Sequence, residues 1–505
     1  MTHGQDTFSI ILPQQLWTAE QVRLNEPLAA AATGVSMAML MERAGEATFD
    51  LICHRWPEAK SLLVLAGRGN NGGDAYVVAS LAHKAGLKVQ LVQVGDPGLL
   101  TDIAADARDV WLSLGCEIDK PLQANLSIDL IVDGLLGTGL KGAVRGEYSQ
   151  LIDRCNYSTT PIIAIDIPSG LDADTGCVHG AAIKADASIS FVGIKQGMCN
   201  GQASEYCGQL YFAGLGIDKA FVRQGSGSKL RISYEEIKSL LAPRNKASHK
   251  GNFGRVALIG GNKGMPGAIR LAAEACLRAG AGLASVITHS ENIAIVCSGR
   301  PELMVYGLAD PELMEMASIS GPLNYASVLV IGPGLGQDKW AKFIIQLALK
   351  MAKPKVVDAD ALNYLAQYPG NSDNWVLTPH PGEAARLLGI SLAELEADRY
   401  SAVRHLQKKF GGVVVLKGPG TLICGEDKLL VANVGNPGMA SGGMGDLLSG
   451  LIAALLGQGL SLIDAAAAGV CIHGNAADLA AKQGERGMLA SDLLPHIRKL
   501  VNPVF

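Results

Sequence analysis

Short apolar runs alternate with helical stretches along almost the whole chain, and this alternation restricts the possible folds more than any other feature of the sequence. Runs such as SLLVLAG, IDLIVDG and PIIAIDIPSG in the first half, and RVALIGG, SVLVIGPG and GVVVLKGPG in the second, are typical of buried parallel strands. The segments between these runs are long enough for crossover helices. We therefore predict an α/β protein built from two three-layer αβα domains.

A Gly/Ser-rich stretch, QGSGS at residues 224–228, separates the two periodic halves. The 505 residues and the 48% hydrophobic content suffice for two full cores. The Gly-rich turns of the two halves do not match each other, so the second half is not a repeat of the first. We predict one domain at residues 1–225 and another at residues 226–505.

The composition points away from macromolecular partners. The formal charge is −4 and the basic residues are scattered, so no nucleic acid and no membrane is expected as a partner. Ten cysteines without a C-x-x-C pair, and a first segment (MTHGQDTFSIILPQQLW) without a basic n-region, indicate a cytoplasmic protein. The apolar run at 447–470 is interrupted by Gln458 and Asp464, which favours two buried helices over a membrane span.

In the first half, the turn GNNGGD follows a buried strand and leads into a helix, where ligands commonly bind in open α/β sheets. Two further strands end in Asp133 and Asp166. Oxygen atoms of Asn71, Asp133 and Ser169 can converge in one crevice, where they would suit a hard cation better than zinc. A purely structural turn, with aspartates that cap the following turns, is the alternative for the same residues.

In the second half, GMASGGMGDLLSG precedes an apolar run with helical spacing. Residues 441–445 are therefore expected at a helix N-terminus, where free N–H groups and the positive end of the dipole attract an anion. Asp446 falls in the first turn, beside that anion. The alternative is that Asp446 only caps the helix, which is worth roughly 0.3–1 kcal/mol.

Two more residues of the second half are candidate contacts, His380 for a ligand and Lys417 for phosphate. Pro379 and Pro381 fix the backbone of His380 at the end of a strand. Lys417 lies at the end of another strand, and this position commonly presents a cation to phosphate. A structural histidine is the alternative for His380. A lysine, a Gly-rich helix N-terminus and an aspartate are the parts that phosphoryl transfer needs.

The motifs MERAG, GNNGGD, DGLLGTG and DIPSGLDADTG, in this order, resemble the epimerase domain of NAD(P)H-hydrate repair enzymes, which has a Rossmann-like fold. The resemblance implies that Asp166 is the acid/base and that a potassium ion is bound by Asn71, Asp133 and Ser169. The residues it implies as substrate contacts are Asn70, Asn71, Gly72, Gly73, Asp74, Gly137, Thr138, Gly139, Leu140, Lys141, Gly142, Ala143 and Asp166. Ala75 departs from the pattern, because glycine is expected there.

The second half resembles the ribokinase-like, ADP-dependent NAD(P)H-hydrate dehydratases through SHKGNFGRVALIGG, PGAIRLAAEACLRAGAGL, TPHPGEAARLLG and GMASGGMGD. The resemblance implies that Asp446 is the acid/base and that Mg²⁺ assists. It implies substrate contacts at Ala268, Gly334, His380 and Asp446, and nucleotide contacts at Lys417, Gly418, Pro419, Gly420, Thr421, Gly442, Gly443 and Gly445. Pro419 departs from the pattern, because alanine is expected there.

Together the two resemblances imply a repair enzyme for hydrated NADH and NADPH. One domain would interconvert the R and S epimers, and the other would dehydrate the S epimer with ADP as co-substrate, giving NAD(P)H, AMP and phosphate. The expected partners are these small molecules and further copies of the chain in a homo-oligomer. The alternative is a vitamin-type small-molecule kinase with a non-catalytic N-terminal binding module.

Overall fold

The computed structural model describes residues 7–121, 124, 125, 127–225, 227, 229–309 and 316–503. The chain forms two compact units, Met1–Leu230 and Arg231–Phe505. The predicted boundary between residues 225 and 226 lies close to this division, although Ser226 and Ser228 of the predicted linker lie outside the described residues. The first six residues of the chain, part of the segment that lacks a basic n-region, also lie outside them.

The first unit is built around a sheet of parallel strands in the order β3-β2-β4-β5-β6-β8. Its strands are β1 (Gln15–Trp17), β2 (Ser61–Ala66), β3 (Lys88–Gln93), β4 (Leu130–Gly134), β5 (Ile162–Ile165), β6 (Ala187–Phe191), β7 (Ile194–Lys195) and β8 (Gln209–Ala213). Its helices are α1 (Ala19–Ala32), α2 (Met37–Arg55), α3 (Asn70–Lys84), α4 (Asp102–Ser113), α5 (Glu147–Tyr157), α6 (Ala203–Tyr206) and α7 (Asp218–Gln224). The strand β9 (Lys229–Ile232) follows.

The strands of this sheet have apolar residues on both faces because helices cover both faces. Leu62, Val64 and Ala66 of β2 belong to one apolar cluster, whereas Leu63 and Leu65 of the same strand belong to another. The carboxyl ends of β2, β4 and β5 lie at one edge because the three strands are parallel neighbours. The polar residues that follow these strands therefore come together at that edge.

The second unit also has a central sheet, in which the seven strands β10 to β16 run parallel to one another and β17 and β18 form an antiparallel extension next to β16. Its strands are β10 (Arg255–Ile259), β11 (Leu283–His289), β12 (Met304–Leu308), β13 (Val328–Ile331), β14 (Lys355–Val357), β15 (Trp375–Leu377), β16 (Val413–Leu416), β17 (Thr421–Cys424) and β18 (Leu429–Ala432). The order is β12-β11-β10-β13-β14-β15-β16-β17-β18.

The helices of the second unit are α8 (Tyr234–Ile237), α9 (Pro266–Arg278), α10 (Ile293–Cys297), α11 (Met316–Tyr325), α12 (Lys339–Leu349), α13 (Ala359–Gln367), α14 (Pro381–Leu388), α15 (Leu392–Ala397), α16 (Arg399–Phe410), α17 (Met444–Gly457), α18 (Leu462–Ala480) and α19 (Leu493–Leu500). The predicted α/β class is confirmed in both units. The apolar run at 447–470 forms most of α17 and the start of α18, both largely buried. Among the described residues, none of the helices combines the length and apolarity that crossing a membrane requires.

The helices α17 and α9 pack backbone to backbone at Gly450. A Cβ atom added to Gly450 would lie 1.9 Å from the carbonyl oxygen of Ala272 in α9. Real side chains do not come so close to a carbonyl, so one of the helices would have to move. Glycine at this position therefore sets the separation of the two helices.

We expect Gly450→Ala to destabilise the protein by about 1–3 kcal/mol, the usual cost of overpacking a core. The matched control is Gly267→Ala in α9, where no atom lies within 4 Å of the added Cβ. That substitution should be neutral or stabilise the helix by about 0.5–1 kcal/mol. Urea unfolding of the full chain measures both effects, and equal stability of Gly450→Ala and the wild type would contradict the close packing.

Candidate active sites

In the first unit, the GNNGGD motif is the beginning of a helix rather than a loop. Gly69 is the N-cap of α3, and Asn70 to Asp74 form its first turns. The glycines allow a close approach of backbone to backbone, since a Cβ atom on Gly72 would lie 2.1 Å from the Gly67 carbonyl oxygen. The N–H groups at the start of α3 therefore face the carboxyl edge of the sheet, where they can bind an anion.

Hydrogen bonds connect Asn71, Asp133 and Ser169, the three predicted cation ligands. The Ser169 hydroxyl donates to Asp133 Oδ1 at 2.6 Å, and the Ser169 N–H donates to Asp133 Oδ2 at 2.8 Å. Leu136 links Asn71 to this pair. The Leu136 carbonyl accepts a hydrogen bond from Asn71 Nδ2 at 3.0 Å, and the Leu136 N–H donates to the Ser169 hydroxyl at 2.8 Å. The structure therefore places the trio side by side, and cation binding stays a prediction.

Two groups of this trio, the Asn71 amide oxygen and the Asp133 carboxylate, have no cation beside them among the described residues. Asn71 Oδ1 is buried and accepts no hydrogen bond from any described residue. Asp133 is fully buried, and burial raises its pKa to about 6 although the hydrogen bonds from Ser169 oppose the change. A buried carboxylate with no described cation beside it, next to an unpaired amide oxygen, fits a site for a bound cation.

Asp166 follows β5 in a conformation that is uncommon for a residue with a side chain, with φ at 62°. Its Oδ1 accepts hydrogen bonds from the ammonium of Lys195 and, at 3.1 Å, from the N–H of Phe191. Lys195 is 1% exposed and also donates to the Ser190 hydroxyl at 3.2 Å. Strained backbone that the surrounding contacts hold in place is frequent at functional sites.

The remaining predicted substrate residues of the first unit lie at the same edge. Burial raises the pKa of Asp74 well above its usual range, and the negative charge of Asp166 adds to the shift. The predicted loop 137–143 follows β4, and most of it is exposed. The loop begins beside the predicted cation ligands, because a Cβ atom on Gly137 would lie 3.4 Å from Cβ of Asn71.

In the second unit, the Gly-rich motif is the N-terminus of α17, as predicted. Gly443 is the N-cap, in the left-handed conformation with φ at 90°, and it offers no side chain to cap the helix. Asp446 lies in the first turn, and no described N–H group donates to its carboxylate. The structure therefore shows no cap hydrogen bond from Asp446, whereas a favourable interaction of its charge with the helix dipole stays open beside the predicted acid/base role.

Lys417 lies directly over this helix N-terminus. A Cβ atom on Gly445 would lie 3.1 Å from Lys417 Nζ. The ammonium is 3.1 Å from Asp358 Oδ1 and 4.0 Å from Glu383 Oε2, while the Ser449 hydroxyl donates to Asp358 Oδ2 at 2.5 Å. The predicted lysine and Gly-rich turn are thus brought together, along with two carboxylates.

The ionisable groups around Lys417 have shifted pKa values. Burial disfavours the charged form of Lys417, but the charges of Asp358 and Glu383 outweigh it and raise the pKa. Burial raises the pKa of Asp446 to about 7, with a further contribution from Asp358 and opposition from Lys417. Burial also raises the pKa of Glu383 to about 7. A carboxyl group with a pKa near neutrality can both accept and release a proton.

His380 has a structural role in addition to the predicted one. Its Nδ1 accepts from the Gly382 N–H at 3.1 Å, and its own N–H donates to Glu383 Oε2 at 2.8 Å, which makes a capping box at the start of α14. Its Nε2 is 3.6 Å from Glu383 Oε1. His380 thereby fixes Glu383 beside Lys417, and its substrate contact stays a prediction.

The other predicted residues of the second unit lie in two groups. Gly334 and Ala268 are neighbours, since a Cβ atom on Gly334 would lie 3.2 Å from Cβ of Ala268. In the turn after β16, the buried Arg399 donates to the Lys417 carbonyl at 3.1 Å, and Thr421 closes the turn through its hydroxyl at 2.9 Å from the Gly418 carbonyl oxygen. Pro419 is exposed in this turn.

Four charged residues of these sites were not predicted from the sequence: Lys195, Asp358, Glu383 and Arg399. The sequence does contain a hint for two of them: Lys195 lies inside the apolar run FVGIKQGM, and Asp358 directly follows the strand KVV. A charged side chain at such a buried position needs a partner of opposite charge. Arg399 gave no such signal, since it lies in a polar helical segment.

We expect the first unit to lose stability as the pH rises from 4 to 6 in buffers whose only cation is tetramethylammonium. The pKa of Asp133 is raised from 3.8 to about 6, so the folded state holds the proton more tightly, and its stability falls until the group is ionised. The contribution is up to about 3 kcal/mol. Asp133→Asn should remove this part of the pH slope, whereas the exposed Asp109→Asn should keep it. Hydrogen exchange of β4 and β5 provides the measurement, and identical slopes for the three proteins would exclude the assignment.

Comparison with known proteins covers both units. The family model described as YjeF-related protein N-terminus matches residues 37–197, and the one described as NAD(P)H-hydrate dehydratase matches residues 256–499. The chain is 49% identical to the bifunctional NAD(P)H-hydrate repair enzyme of Escherichia coli, over 99% of this chain and 96% of that protein. It is 46% identical to the protein of the same description from Coxiella burnetii, over 97% of this chain and 99% of that protein.

A solved structure, a ribokinase-like superfamily protein of Enterococcus faecalis, is similar with a TM-score of 0.50 and 32% identity, and covers 54% of this chain and 95% of that protein. The prediction of a ribokinase-like fold is therefore confirmed. The resemblances inferred from the motifs of the two halves are confirmed as well.

Proposed function

The chain belongs to the family of bifunctional NAD(P)H-hydrate repair enzymes, and we propose that its two units catalyse two successive steps of the repair. The unit that includes residues 1–225 interconverts the R and S epimers of hydrated NADH and NADPH. The second unit, Arg231–Phe505, dehydrates the S epimer with ADP. The observation that carries the proposal is that each unit has its own lysine, paired with a carboxylate, at the carboxyl edge of its own sheet.

In the second unit, Asp446 is the acid/base. It accepts the proton of the C6 hydroxyl while the oxygen attacks the terminal phosphorus of ADP, and AMP leaves. The phosphate ester is a far better leaving group than hydroxide. The pair of electrons on the ring nitrogen expels phosphate, and loss of a proton from C5 restores the dihydronicotinamide. The pKa of Asp446, raised by burial to about 7, suits this proton transfer.

The nucleotide is held by the Gly-rich helix start and the turn that follows β16. N–H groups at Gly443 and Gly445, with Gly442 beside them, face the transferred phosphoryl group, and Lys417 neutralises its charge. The turn at residues 417–421 contacts the adenine nucleotide. Pro419 lacks an N–H group, so this position of the exposed turn cannot donate a backbone hydrogen bond to phosphate, and the anion site depends on the N–H groups at the start of α17 and on Lys417.

Residues beside Lys417 fit Mg²⁺ that arrives with the nucleotide. Within the described ranges, no cluster of three or more His, Cys, Asp or Glu side chains could hold a metal. Mg²⁺ commonly uses one or two carboxylates together with substrate phosphates, and Glu383 is the carboxylate available here. When bound, the ion neutralises phosphate charge. Ala268, Gly334 and His380 contact the hydrated dinucleotide.

In the first unit, Asp166 is the acid/base and the start of α3 binds the dinucleotide with the loop at residues 137–143. Asn71, Asp133 and Ser169 hold the potassium ion. The buried charge of Asp133 and the unpaired Asn71 Oδ1 support this assignment. When bound, the ion offsets the charge of Asp133. K⁺ should therefore reduce the loss of stability that we expect for the first unit between pH 4 and pH 6.

The similarity of nearly the whole chain to bifunctional repair enzymes favours repair over a vitamin-type kinase with a non-catalytic N-terminal module. A kinase would leave phosphate on the organic product, whereas repair releases it. The partners are small molecules. Self-association into a homo-oligomer and a cytoplasmic location stay predictions, and light scattering of the purified chain tests the first.

Asp446→Asn should lower the dehydration rate by about 10²–10⁴-fold, the usual worth of a general base, because the amide cannot accept the proton. The affinity for ADP should change little. The absorbance of the restored dihydronicotinamide measures the rate. The matched control is Asp464→Asn, which changes an aspartate in the first turn of the neighbouring helix α18 and should leave turnover unchanged. Normal turnover by Asp446→Asn would refute the assignment.

Asp166→Asn should separate the two reactions. Given an equilibrated mixture of epimers and ADP, it should consume the S epimer at the normal initial rate and then stall with the R epimer remaining. Full-length Asp446→Asn protein, whose first unit is unchanged, should restart the reaction. The exposed Asp153→Asn in α5 is the control and should show complete repair. Complete single-phase repair by Asp166→Asn would assign the chemistry to another residue.

A further inference from the structure

Residues 434–443, which we call the lead segment, lie between β18 and the N-terminus of α17. Their helical structure is a single 3₁₀ turn, Pro437–Met439. Gly435 is in the left-handed conformation with φ at 91°, and Gly442 and Gly443 directly precede α17. A glycine-rich backbone has many alternative paths, so contacts with other elements have to fix the path that ends at the predicted anion site.

The carboxylate of Asp478 in α18 holds the beginning of the lead segment. Its Oδ2 accepts a hydrogen bond from the Gly435 N–H at 3.0 Å, and its Oδ1 accepts one from Asn436 Nδ2 at 2.9 Å. Asn436 Oδ1 accepts in turn from the Gly438 N–H at 3.1 Å and caps the 3₁₀ turn. Hydrogen bonds to a carboxylate are stronger than those between neutral groups. Asp478 therefore fixes two neighbouring residues directly and a third through Asn436.

The lead segment lies against α18 at one end and against the chain that follows α18 at the other. A Cβ atom added to Gly474 of α18 would collide with the side chain of Val434, so the helix backbone touches the start of the segment. Near α17, the Ser441 hydroxyl donates to the Met488 carbonyl at 3.2 Å. If Asp478 were lost, this bond would be the one described side-chain hydrogen bond that ties the segment to the rest of the unit.

The helix that carries Asp478 does not itself benefit from the residue. Asp478 lies in the last turn of α18, where the helix dipole disfavours a negative charge, and none of the residues of that turn is basic. Asp464 lies in the first turn of the same helix, where the dipole favours it, and its carboxylate accepts from the Ser461 hydroxyl at 2.6 Å. The contribution of Asp478 is therefore its pair of hydrogen bonds with the lead segment.

We propose that Asp478 and Asn436 are positioning residues for phosphoryl transfer in the second unit. They hold the lead segment so that the N–H groups of Gly443 and Gly445 face the transferred phosphoryl group while Asp446 faces the acceptor hydroxyl. This inference rests on the proposed dehydratase function. Groups that stabilise a phosphoryl group act fully only when it is being transferred, so a displaced helix start should lower kcat more than it raises KM for the hydrate.

The test is steady-state dehydration by the full chain, with the S epimer of hydrated NADH and saturating ADP, followed by the absorbance of the restored dihydronicotinamide. In Asp478→Asn, the new NH₂ group faces either the Gly435 N–H or the Asn436 amide, and turning that amide only moves the conflict to the Gly438 N–H. We expect kcat to fall by about 10–10²-fold, because a misplacement of about 1 Å has this effect, and KM for the hydrate to stay near its wild-type value.

Exchanging the two side chains should rescue the reaction. When Asn436→Asp is combined with Asp478→Asn, the carboxylate at position 436 accepts from the Gly438 N–H and from the amide at position 478, whose oxygen accepts from the Gly435 N–H. Each donor again has an acceptor, so most of the wild-type kcat should return. Asn436→Asp alone brings two carboxylates together and should lower kcat. Asp464→Asn, at the other end of α18, is the control and should keep the wild-type kcat.

Three results would overturn the proposal: a wild-type kcat for Asp478→Asn, a double variant as slow as Asp478→Asn, or a rise of KM for the hydrate as large as the fall in kcat. The last result would mean that the whole site had lost its order. Melting temperatures are measured first, so that every variant is assayed in its folded state.

If Asp478→Asn is unfolded at the assay temperature, Asn436→Ala decides, because it leaves the bond between Asp478 and the Gly435 N–H in place. A lower kcat at the wild-type KM for the hydrate supports the proposal, and a wild-type kcat contradicts it. The proposed function would fail differently, because the wild type itself would then not restore the dihydronicotinamide with ADP, or would leave phosphate on the organic product.

Discussion

A lysine ammonium enclosed by the protein and paired with a carboxylate is the interaction on which both sites depend. An unpaired charge of this kind would be costly to bury, so each lysine fixes the position of its partner: Asp166 beside Lys195, and Asp358 beside Lys417. The parallel sheets make the pairing possible, because they bring the ends of different strands to one edge. In each unit the sheet therefore determines where the charged groups can meet.

The two sites use this pairing differently. In the first unit the lysine contacts the carboxylate to which we assign the chemistry. In the second unit Lys417 contacts Asp358 instead, and Asp358 is also held by the Ser449 hydroxyl at 2.5 Å. Asp446, the carboxylate to which we assign the proton transfer, has no hydrogen bond with a described residue, and burial raises its pKa to about 7. In our proposal, a similar pair therefore supports proton transfer in the first unit and phosphate binding in the second.

Much of this arrangement could be predicted from local sequence. Alternating apolar runs indicated both sheets, and GNNGGD and GMASGGMGD indicated two helix starts because glycine is needed where backbone meets backbone. The partners of the lysines could not be predicted. Lys195 and Asp166 are 29 residues apart in the chain, and Lys417 and Asp358 are 59 residues apart, so no local pattern connects the members of either pair. Such pairings depend on tertiary packing, which periodicity does not report.

The contact between Gly450 and Ala272 links two functions of the second unit. Gly450 lies one helical turn beyond Asp446 in α17, and Ala272 lies one turn beyond Ala268 in α9. Since the two backbones touch there, a displacement of α9 has to be accommodated by α17, the helix that carries Asp446. With the roles that we assign to Ala268 and Asp446, widening the cleft on the side of α9 would also move the carboxylate that takes the proton, so the range of accepted molecules is tied to catalytic geometry.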